Sequence, residues 1–449
     1  MDALLLSRIQ FAVTIAFHYL FPPLSIGLGV LLVIMEGAYL RTRNRLYHSM
    51  AQFWVKIFGL IFALGVASGI VMEFQFGTNW STYSRFVGDV FGSALAAEGV
   101  FAFFLESGFL AVLLFGWDKV SPKTHFFSTI MVALGAHFSA IWIIVANSWQ
   151  QTPAGHHLVT EGTRVRAEVV DFWQVVFNPS TLDRLSHTVM GAWQAGACFV
   201  LSVSAFYLLK KRHADFAKAS MKIALVVAAF ASIMQLITGH ASARKIAQTQ
   251  PAKLAAFEAH YPASEPAALW LFGWVNEKEE TVRVGVAIPG FLSFLVHGDA
   301  AKAVTGLRAF PPDERPPVNL VFQSYHLMVA IGIGLIGLSL AGIFFRARKT
   351  LFEKKWLLWV FVFSVLGPQA ANQLGWFSAE VGRQPWIVYG LLKTANAYSP
   401  TVSAGEVGAS LAMFGIIYIL LFALFVFLLN EKIQHGPVDE PAIREGHRA

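Results

Sequence analysis

The chain has 449 residues, of which 56% are hydrophobic and 14% are charged, whereas a soluble globular chain carries about 25% charged residues. This composition excludes a disordered chain, a collagen, a disulfide-rich secreted domain and an ordinary cytosolic enzyme. The formal net charge is +7, but the basic residues lie in short clusters between apolar runs, where they are typical of topology signals. We therefore predict a polytopic membrane protein in the lipid bilayer, with no nucleic-acid partner.

Apolar stretches long enough to cross a bilayer, which takes about 20 helical residues, follow one another along the chain. They cover residues 11–39, 53–72, 94–115, 126–146, 185–209, 221–238, 320–345, 356–377 and 409–429. We predict an all-α fold, a polytopic membrane helical bundle of about nine transmembrane helices. The N-terminus lacks a cationic leader, so we expect it to be retained as part of the first span.

The basic clusters predict the orientation of the bundle. They lie at residues 41–45, 119–123, 210–212 and 346–355, after the first, third, fifth and seventh spans. The positive-inside rule places these loops in the cytoplasm, so the N-terminus is outside and the C-terminus is cytoplasmic.

We predict a single membrane domain over 1–449, without an internal repeat. A polar external loop lies within it at 239–319, and a cytoplasmic tail lies at 430–449. The loop is far longer than a typical connection, which indicates a function. A short helix is expected over Pro251–His260.

Ionisable residues inside the spans are the first candidates for function, because each costs roughly 2.5–3.5 kcal/mol to insert. These ionisable residues are His18, Glu98, Glu106, His187, His326 and Glu380. The predicted topology gathers five side chains near the outer face, namely His18, Glu98, His187, Met328 and Glu380. Imidazole, thioether and carboxylate groups are axial ligands of haem iron, and the single cysteine, Cys198, excludes a CxxCH attachment. The set therefore suggests non-covalent haem, although each residue alone suits hydrogen bonding or packing.

Glu98 and Glu106 are eight residues apart, which on a helix means about 12 Å of rise and about 80° of rotation. They can share a broad face as a proton relay, or be two carboxylates neutralised by interhelical hydrogen bonds. Ser139 and His137 lie at comparable depth on the fourth span, and His125 near its inner end extends the path toward the cytoplasm.

Two arginines near the outer boundary, Arg8 and Arg383, suit haem propionates, or equally lipid and loop backbone. Lys253 and Glu258 in the external loop are, on their own, typical of ordinary solvated charges.

Several motifs resemble subunit I of the cytochrome bd-type quinol oxidases of prokaryotic respiratory chains. The resemblance runs nearly end to end and includes the stretches SRIQFAVTIAFHYLFPPLSIGL, AAEGVFAFFLESGF, ALGAHFSAIWIIVANSWQQTPAG, HTVM and GWFSAEVGRQPW. It implies that His187 and Met328 are the axial ligands of a low-spin haem b. It also implies that His18, Glu98 and Glu380 surround a high-spin haem b and a haem d, with the ligand of each iron left open.

The resemblance assigns further roles. Glu106 resembles the proton-path carboxylate of the family, and with Glu98 and Ser139, which the residue pattern places near it, it makes up the predicted catalytic set. Lys253 and Glu258, within KLAAFE, match the quinol-binding pair. The other implied cofactor-binding residues are Arg8, Arg383 and Trp376.

The implied enzyme is a quinol:oxygen oxidoreductase that oxidises membrane quinol on the outer side and reduces dioxygen to water. It generates proton-motive force by vectorial proton uptake, without pumping. The expected location is the bacterial cytoplasmic (inner) membrane, as a multi-pass protein with a second membrane subunit and possible small accessory subunits.

Two features depart from many members of the family. The external loop is short, as in cyanide-insensitive oxidases, and in that branch haem b can replace haem d. His326 stands where many members carry Arg. The rival functions are an all-haem-b electron-transfer subunit and a secondary transporter with buried carboxylates.

Overall fold

The computed structural model describes residues 2–162 and 164–437. Over these ranges the protein is mostly helical, and nine helices are long and apolar enough to cross a membrane. This confirms the predicted fold class. Residues 438–449 of the predicted cytoplasmic tail lie outside the described ranges.

Spans one to four form the N-terminal part of the bundle, and two of them are interrupted. Their helices are α1 (Ala3–His18) and α2 (Pro22–Thr42), α3 (Arg45–Thr78), α4 (Ser81–Glu98) and α5 (Phe104–Phe115), and α6 (Pro122–Gln151). Span one breaks before Pro22 and Pro23, since proline suits a helix start but removes an interior hydrogen bond. Span three contains a π-helical turn at Gly99–Phe103.

Spans five to nine complete the bundle. Their helices are α8 (Thr181–Leu209), α9 (Ala214–Thr249), α12 (Val318–Ala347), the pair α13 (Lys355–Phe363) and α14 (Leu366–Val381), and α15 (Ala404–His435). Span six continues to Thr249, so residues 239–249 of the predicted external loop are helical.

The remaining elements lie in the connections. They are β1 (His156–Glu161), β2 (Arg164–Val169), α7 (Phe172–Val176), α10 (Pro251–Phe257), β3 (Ser264–Glu265), β4 (Leu269–Asn276), β5 (Thr281–Ile288), α11 (Phe291–His297), β6 (Val304–Thr305), β7 (Trp386–Val388) and β8 (Leu392–Lys393). The strands pair antiparallel as β1–β2, β3–β6, β4–β5 and β7–β8. Helix α10 is the short helix expected near Pro251.

The main hydrophobic core lies between α2, α3, α8 and α9 and contains the fully buried side chains Trp54, Phe58 and Tyr207. Helices α2 and α8 approach closely at Gly27 and Gly196: a Cβ atom on Gly27 would lie 2.2 Å from the Ala192 carbonyl oxygen. Such close contacts between small residues are typical of membrane helices. The core fixes the helices that carry the site described next.

Candidate functional site

One connected cavity of 1790 Å³ lies between the spans and extends to the external loop. The predicted site residues that line it are His18, Glu98, Glu106, Ser139, His187, Met328, Glu380, Arg8, Arg383, Trp376 and Glu258. They come from six different spans and the loop. The remaining predicted residue, Lys253, is buried beside the cavity.

His18 ends α1, at the break in span one, and its ring is held against α3. Its Nδ1 lies 3.0 Å from Ser68 Oγ, and that hydroxyl donates to the Leu64 carbonyl oxygen at 2.7 Å. The hydroxyl therefore accepts from Nδ1–H, which leaves the Nε2 lone pair free. A Cβ atom at Gly69 would lie 3.3 Å from His18 Cε1, so glycine gives the ring room.

His187, on α8, repeats this arrangement against α9. Its Nδ1 lies 3.0 Å from Thr238 Oγ1, which donates to the Met234 carbonyl oxygen at 2.8 Å. A Cβ atom at Gly239 would lie 3.2 Å from His187 Cε1. Both imidazoles are thus held by a hydroxyl followed by a glycine, in the tautomer that can bind a metal through Nε2.

Met328 lies on α12 with its thioether against α14. A Cβ atom at Gly375 would lie 2.7 Å from Met328 Sδ, so a larger residue there would have to displace the thioether. Trp376, the next residue, lines the same cavity. The thioether of Met328 thus lies at the cavity wall, next to α14.

Glu98 and Glu106 both face α6. The α6 residues that they contact, Ser139 and Gly135, lie one helical turn apart. Ser139 Oγ donates to Glu98 Oε1 at 2.5 Å, and a Cβ atom on Gly135 would lie 2.8 Å from Glu106 Cβ. The π-helical turn between the two glutamates widens the helix locally, so their rotation differs from the value expected for an ideal α-helix. Glu106 is 7% exposed and Glu98 half-buried, and both line the cavity.

Glu380 sits at the centre of a polar network near the end of α14. Its Oε2 pairs with the Arg383 guanidinium, while Oε1 accepts from Asn147 Nδ2 at 3.2 Å and Gln151 Nε2 at 3.1 Å. Lys253 Nζ donates to Gln151 Oε1, which joins the external loop to this network. Burial, and then the nearby Arg184 and Arg383 charges, hold the pKa of Lys253 well below its usual range.

Glu258 points away from Lys253. Its Oε2 has no hydrogen-bond partner and lies 3.8 Å from His326 Nε2. Burial raises the pKa of Glu258 to about 8. The two residues of the predicted quinol pair therefore contact different groups, as their five-residue spacing on a helix, about 140° of rotation, would indicate.

His326 is held by two backbone carbonyls. Its Nδ1 lies 2.9 Å from the Phe322 oxygen and its Nε2 lies 2.8 Å from the Trp270 oxygen. The ring thereby connects strand β4 of the external loop to α12, two residues before Met328.

The sequence analysis did not single out two further ionisable residues, Glu36, which lies outside the cavity lining, and Arg184, which is part of it. Glu36, buried on α2, lies with Oε1 2.7 Å from His125 Nδ1 and accepts from Thr129 Oγ1 at 2.5 Å. Arg184 lies one turn before His187 and lines the cavity. The signal for both was present, since each is an ionisable residue within or at the start of an apolar run.

The residues fit haem bound without covalent attachment. The site offers two imidazoles with free Nε2 atoms, one thioether and several carboxylates on separate spans, which are donors of haem iron. Over the described ranges no three His, Cys, Asp or Glu side chains cluster as ligands of a bare metal ion. The cavity also contains guanidinium N–H groups of Arg184 and Arg383 without partners, which suit propionate carboxylates.

Comparison with known proteins identifies the family. Residues 6–437 match the family of cytochrome bd terminal oxidase subunit I. The chain belongs to this family. It is 41% identical over 446 residues to a Bacillus subtilis cytochrome bd ubiquinol oxidase subunit 1, covering 97% of this chain and 94% of the relative. It is 35% identical over 515 residues to an Escherichia coli cytochrome bd-II ubiquinol oxidase subunit 1, covering 99% and 100%.

A solved structure supports the same assignment. The bd oxidase from Geobacillus thermodenitrificans superposes with a TM-score of 0.89 at 30% identity, covering 97% of this chain and 99% of that chain. The predicted resemblance is thereby confirmed. The protein is a multi-pass membrane subunit of a haem-containing terminal oxidase, and the name subunit I implies a partner subunit. The transporter and electron-transfer alternatives are not favoured.

Proposed function

We propose that this subunit oxidises membrane quinol on the outer side of the bacterial cytoplasmic membrane and reduces dioxygen to water. The observation that carries the proposal is the cavity, which brings His18, His187 and Met328 together with the carboxylates of Glu98 and Glu380. The relatives named ubiquinol oxidases support a quinol as the donor.

The quinol hydroxyls would meet the external loop at Glu258. This carboxylate lines the cavity, and its unpartnered Oε2 can accept a hydrogen bond or a proton. Lys253 would act differently, by tying α10 to Glu380 through Gln151.

His187 and Met328 would hold a low-spin haem b, whereas His18, Glu98 and Glu380 would surround a high-spin haem b and a haem d or a second haem b in its place. The haems supply electron transfer and oxygen chemistry when bound. The chain supplies the rest: Ser68 and Thr238 orient the imidazoles, Gly375 positions the thioether, and Arg8, Arg383 and Trp376 line the pocket.

Glu106 would deliver protons to the oxygen side through Glu98 and Ser139. Glu98 and Glu106 contact α6 at Ser139 and Gly135, Ser139 donates to Glu98, and both glutamates line the same cavity, which supports a short path between them. Protons taken from the cytoplasm and released outside at the quinol site would separate charge without pumping. This direction requires the N-terminus outside, as the basic clusters predict.

The second membrane subunit would cover apolar surface that this chain leaves exposed, and small accessory subunits would add to it. The short external loop favours low cyanide sensitivity.

The test is a dithionite-reduced minus air-oxidised absorption spectrum of the purified complex, with acid-acetone extraction of its haems. Bands of a low-spin b haem plus a chlorin-type haem d support the full proposal. Bands of b haem alone place haem b at the oxygen site when quinol-dependent oxygen uptake is present. A complex that takes up no oxygen with any quinol would overturn it.

A further inference from the structure

Three cationic side chains surround the single carboxylate of Glu380. Arg383 pairs with Glu380 directly, Lys253 reaches it through Gln151, and Arg184 contributes a second guanidinium close enough to affect Lys253. Three cations against one carboxylate give this group a formal net charge of +2. Even with Lys253 neutral, one guanidinium charge lacks a counter-ion within the group.

The hydrogen bonds of Glu380 show which cation lacks a counter-ion. One carboxylate oxygen is taken by Arg383 and the other by Asn147 and Gln151. Arg184 donates one N–H to Asn147 Oδ1, a neutral amide oxygen, and its buried Nε has no partner. Arg383 likewise has a buried Nη1 without a partner.

Such an arrangement is costly without a ligand. A buried hydrogen-bond donor left unsatisfied costs about 1–3 kcal/mol, and more for a charged group. Arg184 and Arg383 both line the cavity, so their N–H groups are available to a molecule held there. A planar guanidinium binds a carboxylate through two parallel hydrogen bonds better than it binds a neutral group.

We propose that Arg184, together with Arg383, forms a binding site for a carboxylate group of a haem held in the cavity. Arg184 precedes His187 by one helical turn, on the same face of α8, so one short segment provides both a metal donor and an anion-binding group. This inference rests on the proposed function in so far as it requires haem in the cavity. Its chemistry is that of a propionate, whichever haem carries it.

The experiment is a redox titration of the haems in the intact complex carrying Arg184→Gln. Loss of the guanidinium charge leaves the carboxylate uncompensated, which favours the oxidised iron. At least one haem in Arg184→Gln should therefore have a lower midpoint potential than in the wild type. In Arg184→Lys, which keeps the charge, the midpoint potential of that haem should lie closer to the wild-type value. Arg212→Gln, just beyond the opposite end of α8 and bonded there to Gln434, is the matched control and should leave every potential unchanged.

A complex with full haem content and unaltered potentials in Arg184→Gln would overturn the site. If Arg184→Gln fails to assemble, the measurement moves to Arg184→Lys with haem that carries ¹³C at its propionate carboxyls. Redox-difference infrared spectra should then show a shifted carboxylate band, and an unshifted band overturns the site. A wild-type complex that has no haem would instead refute the proposed function, so the two failures are distinguishable.

Discussion

Thr238 Oγ1 lies 3.0 Å from Nδ1 of His187 and donates its own proton to the Met234 carbonyl oxygen. The hydroxyl can therefore only accept from the ring, which fixes the neutral tautomer with Nε2 unprotonated. Ser68 does the same for His18 on another pair of helices. The two proposed haem ligands are thus oriented by hydroxyl groups about 50 residues away from them in the chain.

Replacing Thr238 by Val should weaken binding of the low-spin haem. Loss of such an orienting partner typically costs 10–100-fold in affinity for the bound metal group, and we expect a loss of about that size. The measurement is the ratio of low-spin haem to protein in the purified complex, together with its reduced-state spectrum. Thr249→Val is the control, because Thr249 also donates to a carbonyl four residues earlier on α9. Equal haem content in the two variants would contradict the assigned role.

The thioether of Met328 offers a second test at the same haem. Met328→Leu should change the low-spin haem spectrum and leave the other haem bands intact, because leucine supplies no ligand atom. Gly375→Ala should have a similar but weaker effect, since its Cβ atom would lie 2.7 Å from Met328 Sδ and must displace it.

Gly337→Ala, which meets nothing within 4 Å on the same α12 helix, is the control for the glycine variant. A wild-type spectrum in Met328→Leu would remove Met328 from the ligands.

Glu106→Gln should slow oxygen reduction and leave the low-spin haem spectrum unchanged. The amide cannot pass on a proton, and positioned acid–base groups typically contribute about 100-fold or more to a rate. The measurement is quinol-dependent oxygen uptake alongside the reduced-state spectrum. Glu431→Gln, on the exposed end of α15, should behave as the wild type. Unchanged turnover in Glu106→Gln would refute the relay.

The sequence predicted the spans well because a bilayer imposes length and apolarity on each helix separately. It also drew attention to ionisable residues that line the cavity, since a charged group inside a span is costly enough to imply a use. Those two properties are local, and most of the predicted site residues do line one cavity.

The contacts between helices were not predictable in this way. The partners of His18 and His187 depend on which helices pack together, and a serine or threonine in an apolar run gives no local signal of its role. The π-helical turn between Glu98 and Glu106 likewise follows from packing rather than from residue types. Arg184 was overlooked because it lies just before the predicted start of span five.

Glu258 predicts the pH dependence of quinol oxidation. Burial raises the pKa of this carboxyl to about 8, so below pH 8 it is mostly protonated and a poor proton acceptor. As the pH rises through 8 the carboxylate forms, and the rate of quinol oxidation should rise with it. Glu258→Gln should be slow throughout and lose this rising limb, because the amide does not titrate. The measurement is kcat/KM for quinol from pH 6 to 9 in both proteins.

Glu265→Gln is the matched control for this limb, since Glu265 is an exposed carboxylate in the same external loop. Its profile should coincide with that of the wild type. If the limb near pH 8 persists in Glu258→Gln, another group controls proton acceptance from quinol, and the unpartnered Oε2 facing His326 has some other function.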